Sequence, residues 1–162
     1  MKIKAIQENN YQTVVEIYEQ GIATGNATFQ TEATTWAEWD KSHLPFCRIA
    51  IFEDVKMLGW AALSPVSSRC VYAGVAEVSI YVASNERAKG IGKILFEKLI
   101  SESEENGLWT LQSGIFPENI SSIKLHETMG FRIIGYREKI GAKNGVWRDN
   151  VIMERRSKTI GV

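Results

Sequence analysis

The chain has 162 residues, 44% of them hydrophobic, with 19 basic side chains against 19 acidic ones. That length suits one compact core, and the charge balance excludes the broad positive field that draws a protein to nucleic acid or an anionic membrane. No apolar run approaches the roughly 20 residues of a membrane-spanning helix, and the start MKIKAIQENN has no apolar leader segment. Cys47 and Cys70 stand apart rather than in a CxxC motif, so the expectation is a reduced, cytoplasmic protein with one domain over residues 1–162.

KIKAI reads as a first strand. NYQTVVEIYEQGIA follows with Val14, Val15, Ile17, Tyr18 and Ile22 at helical spacing, and Gly21 and Gly25 weaken its end. TWAEWDKSHL, opened by Thr34 or Thr35 with Glu38 as the capping partner, predicts a short helix ended by Pro45. FCRIAIFED and KMLGWAALSPV form a hairpin pattern around Asp54 to Lys56, and CVYAGVAEVSIYVA extends the sheet with a bend at Gly74. A helix then runs from the glycine turn ERAKGIGK to Asn106-Gly107. LWTLQSGIF is a strand, and PENISSIKLHETMG is a short helix opened by Pro117 and closed by Gly130. FRIIGYREKI and VWRDNVIMERR pair around GAKNGV, leaving SKTIGV as a loose tail; Trp36, Trp39, Trp60 and Trp109 read as packing residues. Residues 77 to 116 make a strand-helix-strand crossover, which joins parallel neighbours. The expected fold is α/β in the α+β sense: a mixed, mostly antiparallel sheet, helices on both faces and one central parallel unit.

In the glycine turn, Gly90 and Gly92 sit where a helix begins, with Arg87, Lys89 and Lys93 around them. Amides of a first helical turn lack intrahelical partners and carry the positive end of the dipole, so a phosphate fits there. The same residues also serve as a plain strand-to-helix turn. Neither the P-loop pattern nor GxGxxG is present.

Arg87-Ala88-Lys89-Gly90-Ile91-Gly92, following a strand and opening a helix, resembles the acetyl-CoA signature (Q/R)-x-x-G-x-(G/A) of the GNAT superfamily of N-acetyltransferases. NISSIKLHETMGF resembles the second half of that pattern. The resemblance implies acetyl-CoA as cosubstrate and no metal, with Ala88 to Lys93 around the pyrophosphate. It also implies the backbone of Ile80, Tyr81 and Val82 along the pantetheine arm, and Asn119 and Ser122 beside the cofactor. Within the superfamily, NATFQTE, VYAGVAEVSIYV, SIKLHETMGF and GVWRDNVIM are similar to the phosphinothricin and methionine sulfoximine acetyltransferases, which act on the α-amine of small amino-acid analogues. That likeness implies a homodimer. It departs at AGVA, residues 73 to 76, where members often keep a basic or aromatic residue and a threonine.

Acetyl transfer to an amine needs a base, a stabilised oxyanion and a protonated leaving thiolate. The resemblance places Glu77 near the amine as base, while at a strand end the same residue reads as a solvated charge. His126 shares a helical face with Asn119 and Ser122; it reads as acid for the thiolate, base for the amine, or a structural residue. A backbone N–H near Tyr81 or Val82 is the expected oxyanion donor. For the amino-acid pocket the candidates are Phe29, Arg69, Tyr72 and Trp147, with Arg69 suited to a carboxylate. Two rivals share this cofactor site: acetylation of a protein N-terminus or another amine, and a CoA-binding module without catalysis.

Overall fold

The computed structural model describes residues 1–162. Its strands are β1 (Lys2–Ala5), β2 (Ile49–Glu53), β3 (Lys56–Pro65), β4 (Val75–Val82), β5 (Thr110–Ile115), β6 (Arg132–Lys143) and β7 (Val146–Arg156). Its helices are α1 (Tyr11–Ala23), α2 (Trp36–Ser42), α3 (Ile91–Glu105) and α4 (Ile120–Thr128), with short 3-10 turns at Glu8–Asn10, Cys70–Tyr72 and Ser84–Glu86. The sheet order is β1-β2-β3-β4-β5-β7-β6. Only β4 and β5 run parallel, joined by α3; the other neighbours are antiparallel, as the connection lengths require.

The middle of the sheet is apolar on both faces. Tyr11, Val14 and Ile17 of α1 and Trp39 of α2 cover Ala50, Met57, Trp60 and Ala62. Leu95, Phe96 and Leu99 of α3 cover Ile49, Ile51, Leu58, Ala61 and Leu63 on the opposite face. The register shift opposite Ile51 and Phe52 leaves one extra residue on β3. That bulge changes which face odd and even positions reach, so Leu58 joins Ala61 and Leu63 while Met57 joins Trp60. Leu95, Phe96 and Leu99 are fully buried, each contributing about 1.5–3 kcal/mol of apolar transfer free energy.

The capping box resolves to Thr35, whose Oγ1 accepts from the Glu38 N–H while the Glu38 carboxylate accepts from the Thr35 N–H. Gly74 lies under Trp109, where a Cβ would come within 2.0 Å of the indole. Two expectations are corrected. Pro117 lies outside α4, which Asn119 opens by accepting from the Ser122 N–H. The last residues are not loose: the Arg156 guanidinium donates to the carbonyls of Ile160 and Gly161, and Ser157 donates to Glu104 and, through its N–H, to the Trp109 carbonyl.

Candidate active site

The parallel pair β4–β5 is short. Val75, Ala76 and Glu77 pair with Thr110, Leu111 and Gln112, and there the ladder stops. Beyond it β4 stays paired to β3 and β5 to β7, and the two strands diverge into a wedge. The Ala83 N–H bonds the Leu58 carbonyl. Strand alternation therefore commits the backbone groups of Tyr81 and Ser79 to β3 and turns those of Val78, Ile80 and Val82 toward the wedge. Tyr81 is thus corrected as a backbone contact; its side chain instead closes the opposite face against Tyr18 and Trp60.

A cleft of about 800 Å³ follows the wedge to the start of α3 and is lined by Ile80, Tyr81, Val82, Arg87, Ala88, Gly90, Ile91, Gly92, Lys93, Asn119, Ser122 and His126. Both Ala88 (φ 60) and Gly90 (φ 82) are left-handed, which bends the chain sharply into the helix. No side chain caps α3, and its first backbone bond is Ile94 N–H to the Gly90 carbonyl. The N–H groups of Ile91, Gly92 and Lys93 consequently have no partner inside the helix and form an anion cradle. The two glycines differ in purpose. A Cβ on Gly90 meets no atom within 4 Å, so its left-handed φ is what calls for glycine, whereas a Cβ on Gly92 would press within 3.0 Å of Leu125. Gly92 therefore seats α4 against α3. Lys89 does not line the cleft; with Lys56 it pairs to Glu86.

A second cleft, about 630 Å³, opens on the α1–α2 face and meets the first at Ala27, Val78, Ser79, Tyr81 and Gly114. Both volumes suit ligands of small-molecule size. Glu77 lines the second cleft beside the junction, one residue before Val78, where β4 and β5 part. Solvent reaches its carboxylate, yet the concave wall withdraws enough water to push its pKa above the usual carboxylate range; the charge of Arg137 acts the other way. Trp60 forms part of the wall, and its Nε1–H is the one fully buried side-chain polar atom in the chain without a partner.

The loop after α1 folds over this second cleft. Lys143 donates to the Thr28 carbonyl (2.6 Å), and Arg148 donates to the Gly25 carbonyl (2.9 Å) and Asn26 Oδ1 (2.8 Å). Asn119 Nδ2 donates to the Asn26 carbonyl, which ties the loop to α4. Phe29, carried by the loop, packs on Phe116 at 4.6 Å.

His126 is 2% exposed and lies between Phe96 and Phe131. Its Nδ1 is 2.7 Å from the Ser122 carbonyl, which only accepts, so Nδ1 carries the proton. Nε2 then accepts from Ser113 Oγ at 2.8 Å. Burial lowers its pKa, and the ring is neutral. The structural reading of His126 is the one this geometry favours. Ser113 was not legible in the sequence, because a serine alternating along a strand carries no distinguishing signal.

Of the four pocket candidates only Phe29 lines the second cleft. Arg69 is exposed and stacks on Tyr72 at 5.6 Å, while Tyr72 and Trp147 remain 47% and 63% exposed. These three lie outside both clefts because the 3-10 turn at Cys70–Tyr72 and the β6–β7 hairpin end point away from the junction. The residues that do line the second cleft, Gln112, Arg137 and Asn150, come from β5 and from facing positions of the β6–β7 hairpin.

Residues 11–131 match the Acetyltransferase (GNAT) family. A phosphinothricin N-acetyltransferase from Streptomyces coelicolor is 31% identical over 156 residues, covering 91% of each chain. The L-methionine sulfoximine/L-methionine sulfone acetyltransferase of Pseudomonas aeruginosa is 33% identical over 99 residues, 61% of this chain and 58% of that one. A ribosomal-protein-alanine N-acetyltransferase from Brucella melitensis superposes with a TM-score of 0.87 at 26% identity, over 97% of this chain and 100% of that one. With a splayed parallel pair leading into an uncapped glycine turn, and a family match over most of its length, this chain belongs to the GNAT acetyltransferase family.

Proposed function

We propose that this protein transfers the acetyl group of acetyl-CoA directly to the α-amine of a small amino acid of the phosphinothricin, methionine sulfoximine or methionine sulfone type. The observation that carries the reading is the meeting of two clefts beside Glu77, one with an anion cradle and the other closed by aromatic walls. The cradle fits the donor. The amides of Ile91, Gly92 and Lys93, with Arg87, would hold its diphosphate, and the free backbone groups of Val78, Ile80 and Val82 would meet its extended arm. When bound, acetyl-CoA supplies an acetyl thioester.

Glu77 accepts the proton of the acceptor ammonium, directly or through one water. Its raised pKa, set by partial burial against the opposing charge of Arg137, makes it a stronger base than a free carboxylate. N–H groups of Val78 and Ile80 donate to charge that develops on a carbonyl oxygen in the wedge. His126 acts as a positioning residue: it holds its own proton at Nδ1 and fixes the Ser113 hydroxyl in the cleft wall. The reading includes a homodimer, supported by the exposed Ile133, Tyr136, Val146 and Trp147 on the β6–β7 hairpin; sedimentation measures it directly.

The test is an acetylation screen with free-thiol detection across methionine sulfone, methionine sulfoximine, phosphinothricin, common amino acids, polyamines and peptides. Turnover confined to small α-amino acids is expected. Turnover confined to peptides moves the protein to the N-terminal acetyltransferases, and none anywhere marks a CoA-binding module.

A further inference from the structure

The second cleft contains an unbalanced charge. Arg137 and His43 are the cationic side-chain types in its wall. His43 bonds the Trp39 carbonyl through Nδ1, and burial keeps its ring neutral. Lys143 and Arg148 are committed to the carbonyls of the overlying loop. Arg137 forms no ion pair with any carboxylate, Glu77 included, although its charge reaches Glu77 across the cavity. A carboxylate and a guanidinium thus share one cleft without joining each other.

The backbone explains how Arg137 comes to stand there. It pairs with Asn150, after which the β6 register jumps to Gly141 opposite Arg148. The intervening segment bulges: Lys139 is left-handed (φ 47) and its N–H donates to Asp149 Oδ1 at 2.7 Å. Such a bulge re-aims side chains, and here it bends the strand over the cleft, so that Gly141 meets Phe29 and Arg137 lies on the rim. Beneath it, Asn150 is 9% exposed and makes no side-chain hydrogen bond within the chain, a second polar group left for a ligand.

We infer that Arg137 is the α-carboxylate anchor of the acceptor, so that a zwitterionic amino acid spans the cleft with its nitrogen at Glu77 and its carboxylate on the guanidinium. This rests on the small-amino-acid reading above and names the residue that selects that class. A guanidinium fork matches a carboxylate with two parallel hydrogen bonds. The Asn150 amide is placed to add a third, and Phe29, Phe116, Ile140 and Ile152 receive the side chain. The role expected for Arg69 passes to a residue on another strand.

The experiment compares methionine sulfone with its α-carboxamide as acceptors for the full chain, for Arg137→Gln and for Arg137→Lys, with acetyl-CoA affinity measured in parallel. Arg137→Gln should lower kcat/KM for the acid about 50-fold, mainly through KM, with a loss about tenfold smaller for the amide, which feels only the changed charge near Glu77. Arg137→Lys should recover part of the loss for the acid. Acetyl-CoA affinity should not change, because Arg137 is exposed and lies outside the donor cleft. Equal losses on acid and amide would overturn the assignment, since a residue that only tunes Glu77 acts on both. An unaltered KM for the acid would also overturn it. If the unmodified chain acetylates peptides or polyamines but no free amino acid, the functional reading itself falls; if it acetylates the acid and Arg137→Gln is silent, only the anchor falls.

Discussion

The two clefts that meet beside Glu77 are built from different materials. On the proposed reading, the donor side is main chain: diverging strand edges at Val78, Ile80 and Val82, and uncapped amides where α3 begins. The acceptor side is side chain, drawn from α1, α2 and five strands, with Phe29 supplied by a tethered loop. A site of backbone amides depends on conformation and tolerates most sequence change away from the glycines. A site of side chains changes its ligand with single substitutions.

Substitutions at the junction separate the two sides most sharply. Glu77→Gln should lower kcat at neutral pH by about 100-fold or more, because general-base contributions are of that order, with acetyl-CoA affinity retained; steady-state kinetics beside calorimetric binding checks it. Loss of both would show that the clefts are not independent. On the donor side, Gly90→Val places a β-branched residue at φ 82, a conformation it does not hold without shifting the turn. Acetyl-CoA affinity should fall about 30-fold, a strain cost of roughly 2 kcal/mol. Normal affinity in a folded variant would detach the turn from the donor.

Stability tests the buried wall between them. The chain's two histidines, His43 and His126, are both held neutral by burial, so their folded pKa values lie below the unfolded value near 6.5. The unfolded chain therefore binds more protons as pH falls through that window. Their stabilisation is complete above about pH 6.5 and is lost below it, at up to about 1.4 kcal/mol per pH unit for each proton refused. Glu77, shifted upward, offsets part of this. Denaturant midpoints should decline from pH 7 to pH 5, and a flat or rising profile would contradict the neutral, doubly bonded His126. The smallest effect belongs to Arg69→Ala, which should leave KM for methionine sulfone within twofold because Arg69 faces solvent over Tyr72.

What the sequence disclosed follows the same division. The glycine turn, the crossover from Glu77 to Phe116 and the Thr35 capping box are local patterns, and each produced the expected backbone. The acceptor wall depends on registers that local pattern does not encode. Arg137 reaches the rim only because β6 bulges against Asp149, and Ser113 faces His126 only because α4 packs over β5. Arg69 suits a carboxylate by residue type and Tyr72 suits a pocket wall, yet the turn anchored at Gly74 under Trp109 carries them away from the junction. Asn119 displaced Pro117 as the start of α4 because a side-chain acceptor satisfies a first-turn amide that proline cannot.

The most direct measurement is a crystal structure of the protein with acetyl-CoA and an amino-acid acceptor. The account predicts the diphosphate on the amides of Ile91, Gly92 and Lys93, the thioester between Val78 and Gly114, and the acceptor nitrogen within reach of Glu77. A diphosphate bound away from the Gly90 turn, or an acceptor lodged outside the cleft beneath Phe29, would contradict it.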